Sequence, residues 1–135
     1  MIVLDNDILV RLGQADPDPV VVEHLQQYST DEWTIPAIVA FEFYKSCENR
    51  TEMEQARNHL SSHLDRIVDF TSRTALEAAY LDERLREDGV SLDPADLLNV
   101  ATAHAEGGTF VTHNKHDFDK PPLRELVDVD VVLSR

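Results

Sequence analysis

Cysteine is almost missing from this chain. Cys47 is the only one among 135 residues, so no internal disulfide can form and a cysteine-rich zinc site is excluded. Glycine and proline are sparse, at four and six residues, which excludes collagen-like and linker-rich chains. No long uncharged apolar run occurs, so no membrane span is expected. Met1 leads straight into Ile2-Val3-Leu4-Asp5, without the basic start and apolar core of a signal peptide, and a soluble cytoplasmic protein is expected. Positive charge is scarce too: 12 Lys and Arg, of which only Lys45, Lys115 and Lys120 are lysines, stand against 26 Asp and Glu for a net charge of −14. What is present is apolar material, 42% of the residues, enough for one compact domain over residues 1–135.

Apolar runs and breakers alternate in a way that predicts strands separated by helices. Ile2 to Leu4 reads as a buried strand and Asn6 to Leu12 as a helix ended by Gly13 and the Asp16-Pro17-Asp18-Pro19 turn. Helices are expected from Pro19 to Tyr28, Ala37 to Glu48 and Thr51 to His63, with a strand at Trp33 to Ile35. Further strands are expected at Arg66 to Phe70, Thr109 to Val111 and Val127 to Leu133. An amphipathic helix fits Thr71 to Asp88, and Asp93-Pro94 opens another, with Asp93 at the N-cap, that runs to Gly107-Gly108. This order predicts a three-layer α/β/α sandwich around a mostly parallel sheet.

Among 26 acids, the informative ones sit where a carboxylate is expensive. Asp5 and Asp7 interrupt the apolar opening, at the carboxyl end of the first strand. Glu42 is the only formal charge between Trp33 and Tyr44, and Asp96 the only one between Pro94 and Ala105. Removing an unpaired carboxylate from water costs several kcal/mol, on the order of the stability of many domains, and no basic residue lies within two positions of Asp5, Glu42 or Asp96. A bound cation would compensate. In open α/β sheets ligands bind beyond the carboxyl ends of strands, where Asp5 lies and where the segment after Thr109-Phe110-Val111 brings His113, Asn114 and Asp117. Hard oxygen donors favour Mg²⁺ or Mn²⁺ over zinc. Plainer roles compete: Asp5 or Asp7 as a helix cap, Asp96 as a first-turn acid, Glu42 on an exposed stripe, Asp117 as a solvated loop acid.

Four segments in order resemble a known family. Ile2-Val-Leu-Asp5-Asn-Asp-Ile-Leu-Val10, Ile35-Pro-Ala-Ile-Val-Ala-Phe-Glu42, Asp96-Leu-Leu-Asn-Val-Ala-Thr-Ala103 and Thr109-Phe-Val-Thr-His-Asn-Lys-His-Asp-Phe118 resemble the motifs of PIN-domain ribonucleases of the VapC toxin type. Two positions depart from the pattern. Asn6 and Asp7 follow Asp5 where Thr or Ser and then Asn or Ser are usual, and a neutral Asn114 stands where an Asp is common.

The resemblance implies an endoribonuclease dependent on Mg²⁺ or Mn²⁺, with Asp5, Glu42, Asp96 and Asp117 catalytic. Asp5, Asp96 and Asp117 would hold metal, joined by Asp7 or Glu42, and Asn6, Thr112 and Asn114 would support them. Whether Asn114, Asp117 or Asp7 completes the metal shell stays open at this point. RNA would meet Arg11, Lys45, His113, Lys115 and His116, with Lys120 nearby. The resemblance also implies a cognate antitoxin and a homodimer, and no membrane association.

Two rivals come from the residues themselves. Val3-Leu-Asp5-Asn-Asp7 matches the nucleophile motif of haloacid-dehalogenase-type phosphatases, although the later acids, Asp93 and Asp96, open a helix instead of following a strand. The neutral Asn114 suits an inactive PIN-like binding module. His59 and His63, at helical i,i+4 spacing, read as surface histidines because no third ligand joins them. The dense carboxylates resemble surfaces from salt-loving organisms; at molar salt, screening within about 3 Å removes the veto that global charge would place on nucleic acid.

Overall fold

The computed structural model describes residues 1–133. Strands are β1 (Ile2–Leu4), β2 (Trp33–Pro36), β3 (Arg66–Val68), β4 (Thr109–Thr112) and β5 (Val129–Val131). Helices are α1 (Asn6–Leu12), α2 (Pro19–Leu25), α3 (Ala37–Lys45), α4 (Arg50–His63), α5 (Ser72–Glu87), α6 (Pro94–Glu106), α7 (Lys115–Phe118) and α8 (Pro121–Leu126). All pairings are parallel, in the order β3-β2-β1-β4-β5. The chain builds outward from β1 through β2 to β3, then crosses to the other side of β1 for β4 and β5. That reversal puts the crevice between β1 and β4 at their carboxyl ends, the place where such sheets bind ligands.

A parallel sheet is covered on both faces, so its strands are apolar on both sides. The side-chain alternation of a strand sends Val3 and Phe110 into one core with Leu81 and Leu85 of α5, Val100 and Ala103 of α6, and Leu123 of α8. Ile2, Leu4, Ile35 and Val111 enter the other core, with Ile8 of α1, Val21 and Leu25 of α2, Val39 of α3 and Leu60 of α4. The result is the expected α/β/α sandwich. Asp130 of edge strand β5 accepts hydrogen bonds from Tyr28 and His24, tying that edge to the end of α2.

Several boundaries differ from the sequence expectation. The α2 helix ends at Leu25 and tightens into a 3₁₀ turn over Gln26–Tyr28. The α3 helix ends at Lys45 instead of Glu48, β3 stops at Val68 and β5 spans only Val129–Val131. Two short helices, α7 and α8, occupy a stretch read as loop. Asn114 caps the first by accepting from the Asp117 amide at 3.1 Å, and Pro121-Pro122 opens the second. Helices this short carry no periodicity to detect, only their caps. At α6, Asp93 holds the N-cap position but its side chain makes no capping bond.

The turn from α6 into β4 requires glycine twice. Gly107 has φ 70°, in the left-handed region, and its N–H reaches the Ala103 and His104 carbonyls. A Cβ on Gly108 would come within 3.0 Å of Met1 Sδ and 3.1 Å of Val3 Cγ2, so the chain there lies directly on β1. Gly107→Ala is expected to destabilise by about 1–2 kcal/mol, the cost of a left-handed L-residue. Urea unfolding measures this, and an unchanged midpoint contradicts it.

Candidate active site

The site begins where β1 runs out of apolar residues. The Asp5 N–H donates to the Val111 carbonyl at 2.9 Å, which stitches the start of α1 to β4. Its carboxylate caps α1 by accepting from the Asn6 N–H at 2.8 Å and accepts the Thr112 hydroxyl at 2.8 Å. Asp5 is 8% exposed. Burial, followed by repulsion from Asp7, pushes its pKa up to about 7, against the opposing pull of the Thr112 and Asn6 hydrogen bonds. Asp7 accepts the His113 N–H at 3.1 and 3.2 Å, with the Thr112 hydroxyl at 3.5 Å. Its pKa is also raised, chiefly by burial. Fully buried Thr112 receives the Asn114 N–H at 3.1 Å, so one hydroxyl organises the ends of both β1 and β4.

The α6 helix brings the next acid. Pro94 fixes its first turn, which carries Asp96. Burial raises Asp96 to about 6, with Asp117, Asp93, Glu42 and Asp7 each adding repulsion. One turn further along, Asn99 is 1% exposed and donates from Nδ2 to Glu42 Oε1 of α3 at 3.1 Å. Asp117 comes from α7, where Asn114 Nδ2 donates to its Oδ2 at 2.7 Å. Asn114 is therefore the clamp of Asp117. Acids from α1, α3, α6 and α7 thus surround one cleft, with Asp5 and Asp7 at its floor.

The remaining candidate residues are distributed unevenly. Asn6 Oδ1 is buried without a hydrogen-bond partner. Arg11 lies close enough to Asp7 to lower its pKa, yet it is paired with Asp18 at 3.2 Å and is not an unclaimed cation. Lys45, Lys115 and His116 are exposed, while His113 and Lys120 are partly buried. His59 and His63 stack with ring centroids 4.2 Å apart on the exposed side of α4, away from the acids. Asn99 was missed by sequence reasoning; a lone amide in Leu97-Leu98-Asn99-Val100-Ala101 was the signal.

None of the ion pairs among the described residues engages Asp5, Glu42, Asp96 or Asp117. Asp5 and Asp96 are raised and have no ion-pair partner among the described residues, and the amide oxygens of Asn6 and Asn99 are buried without partners; hard oxygen donors of this kind suit Mg²⁺ or Mn²⁺. Among the described residues no three Asp, Glu, His or Cys side chains close around a single point. The acids stand spaced around the cleft within Coulombic reach of one another, as mutually repelling groups do.

An all-parallel α/β/α sandwich that gathers carboxylates beyond the carboxyl ends of β1 and β4 defines the class of acid-cleft α/β domains. The PIN domain model matches residues 2–122, and the chain belongs to the PIN domain family. The Asp5-Asn6-Asp7 run is accordingly part of a PIN cleft, and the phosphatase reading is not favoured. The chain is similar to Ribonuclease VapC2 of Rickettsia felis, with 29% identity covering 88% of this chain and 90% of that protein. Its fold is similar to that in the crystal structure of VapBC2 from Rickettsia felis bound to a promoter DNA fragment, with TM-score 0.74, 23% identity and coverage of 97% and 98% of the two chains. It is also similar to VapBC-1 from nontypeable Haemophilus influenzae, with TM-score 0.77, 18% identity and coverage of 97% and 98%.

The raised acids set a pH dependence. With a folded pKa of about 7 against an ordinary 3.8, Asp5 keeps its proton in the folded chain after the unfolded chain has lost it. Its contribution to stability is therefore greatest below pH 4 and is lost as pH rises towards 7. Without divalent ions, Asp5→Asn is expected to flatten this decline and to raise stability at neutral pH, on the order of a few kcal/mol. Thermal melting from pH 4 to 8 measures it, and a variant less stable than wild type at neutral pH contradicts it.

Proposed function

We propose that this chain is a divalent-metal-dependent endoribonuclease and the toxin of a toxin-antitoxin pair. The observation that carries the reading is the gathering of Asp5, Glu42, Asp96 and Asp117 from four separate segments into one cleft, with none of them in an ion pair among the described residues. The similarity to a ribonuclease, and to a solved toxin-antitoxin complex from Klebsiella pneumoniae, supports it.

In this reading Asp5, Asp96 and Asp117 hold Mg²⁺ or Mn²⁺, with Asp7 at the margin. When bound, the ion supplies Lewis acidity toward a phosphate oxygen and lowers the pKa of water. Glu42 receives the proton of the attacking water as its oxygen bonds to phosphorus and the P–O ester bond breaks, and the leaving ribose oxygen takes a proton from solvent to depart as the hydroxyl. Thr112 fixes Asp5, Asn114 fixes Asp117, and the backbone of His113 fixes Asp7, so these three acids are oriented before substrate arrives. Lys45, Lys115, His113 and His116 meet RNA phosphates, and Arg11 joins them only by leaving Asp18.

The antitoxin belongs on the α1, α3 and α4 side of the molecule, in this reading. A cavity of about 610 Å³ there is lined by Leu9, Leu12, Trp33, Phe43, Leu60 and Leu64, and it gives apolar partner side chains a place to bury. A homodimer in the cytoplasm completes the proposal. No helix among the described residues is long and apolar enough to cross a membrane.

Single-turnover cleavage of RNA in molar salt tests the reading. Wild type with Mn²⁺ or Mg²⁺ is expected to cut and to stop when the ion is chelated. Asp96→Asn is expected to lose at least about a thousandfold while remaining folded, comparable to losing a group that acts only in the transition state. An inert wild type that still binds RNA would favour a non-catalytic binding module instead.

A further inference from the structure

The amide of Asn99 is an uncomfortable group to bury. Its side chain sits on the α6 face one turn beyond Asp96, 1% exposed, between the apolar Leu98 and Val100. Nδ2 has one partner, Glu42 Oε1 at 3.1 Å, and Oδ1 has none. Leucine has the same branched outline, though it is bulkier, and would occupy the position without leaving a buried carbonyl oxygen unpaired. A residue kept for stability would have both ends satisfied. The single contact it does make runs across the packing of α3 on α6, to a cleft acid that no other described residue holds.

We propose that Asn99 is a positioning residue that sets the Glu42 carboxylate for proton transfer. The inference rests on the ribonuclease reading and deepens it. Glu42 stands on α3, while Asp96 stands on α6, so the relative placement of the base and the acids proposed to hold metal depends on a link between two helices. The amide supplies that link with a fixed sense. NH₂ can only donate, the carboxylate oxygen can only accept when ionised, and the reverse rotamer would set two oxygens face to face. One oxygen of Glu42 is thereby occupied, and the carboxylate plane is turned by a side chain that is itself locked by burial. Asp5, Asp7 and Asp117 are held by Thr112, the His113 backbone and Asn114, all on the β4 side of the cleft. Asn99 performs the same service from the opposite wall.

Asn99→Leu tests this. The variant is expected to melt no lower than wild type, while kcat for single-turnover RNA cleavage falls by about 10- to 100-fold and KM stays within about twofold, as misplacing a catalytic group does. If Asn99 acts through Glu42, adding Asn99→Leu to a Glu42→Gln variant costs nothing further, a non-additivity that a purely structural role would not produce. In the metal-free chain, the Asn99 side-chain amide protons are expected to exchange slowly with solvent and to shift on Glu42→Gln in NMR spectra. Should Asn99→Leu fail to fold, Asn99→Asp, isosteric but without the amide donor, carries the same expected loss of kcat. Full kcat in the substituted chain, full additivity with Glu42→Gln, or fast-exchanging amide protons indifferent to Glu42 would overturn the proposal while leaving the ribonuclease reading intact. A wild-type chain that cleaves no RNA overturns that reading and the role of Asn99 with it, and is a distinct result.

Discussion

Everything about the cleft follows from the cost of keeping several carboxylates together at the end of a parallel sheet. Asp5 is nearly inaccessible to water, and both Asp5 and Asp96 are pushed well above the ordinary carboxylate range by burial and by each other's neighbours. Such an arrangement destabilises the folded chain at neutral pH, because the unfolded chain ionises these groups freely. It persists chiefly through neutral hydrogen-bond donors, a threonine hydroxyl, asparagine amides and backbone N–H groups, with Arg11 and His113 adding attraction at Asp7. Neutral donors orient an acid without cancelling its charge. The cleft therefore retains a strong demand for positive charge, which a lysine or arginine partner would have quenched.

The architecture makes that concentration of charge mechanically possible. Two cores, one on each face of the sheet, hold β1 and β4 side by side, and the crossing of the chain from one side of β1 to the other opens the crevice at their carboxyl ends. The floor of the cleft lies at the carboxyl ends of the interior strands β1 and β4, and its walls come from α3, α6 and α7. Apolar packing thus carries the stability that the acids consume. Exposed ion pairs such as Arg50–Glu54 and Arg86–Asp82 add little to this balance.

Much of the sandwich was legible in the chain, for a physical reason. Strands buried on both faces read as short continuous apolar runs, and Ile2–Leu4 and Thr109–Thr112 stand out against an otherwise charged sequence. Asp5, Glu42 and Asp96 were legible as charges in apolar company. The α7 and α8 helices were not, because four and six residues leave no helical period to detect. The partnership of Asn114 with Asp117 was equally hidden, since it depends on a rotamer inside one turn. Asn99 escaped notice because its partner lies 57 residues away on another helix. The link from His24 and Tyr28 to Asp130 spans still greater separations and leaves no local mark.

Whether these acids take up a divalent ion is the most direct test of the proposed function. Anomalous scattering from Mn²⁺ diffused into crystals of the chain locates such an ion without reference to activity. The strongest peak is expected at bonding distance from carboxylate oxygens of both Asp5 and Asp96, with Asp117 drawn toward it. A cleft that stays empty at millimolar Mn²⁺, or a strongest peak bound by surface acids elsewhere, would contradict the view that a cation is what these buried charges are gathered to hold.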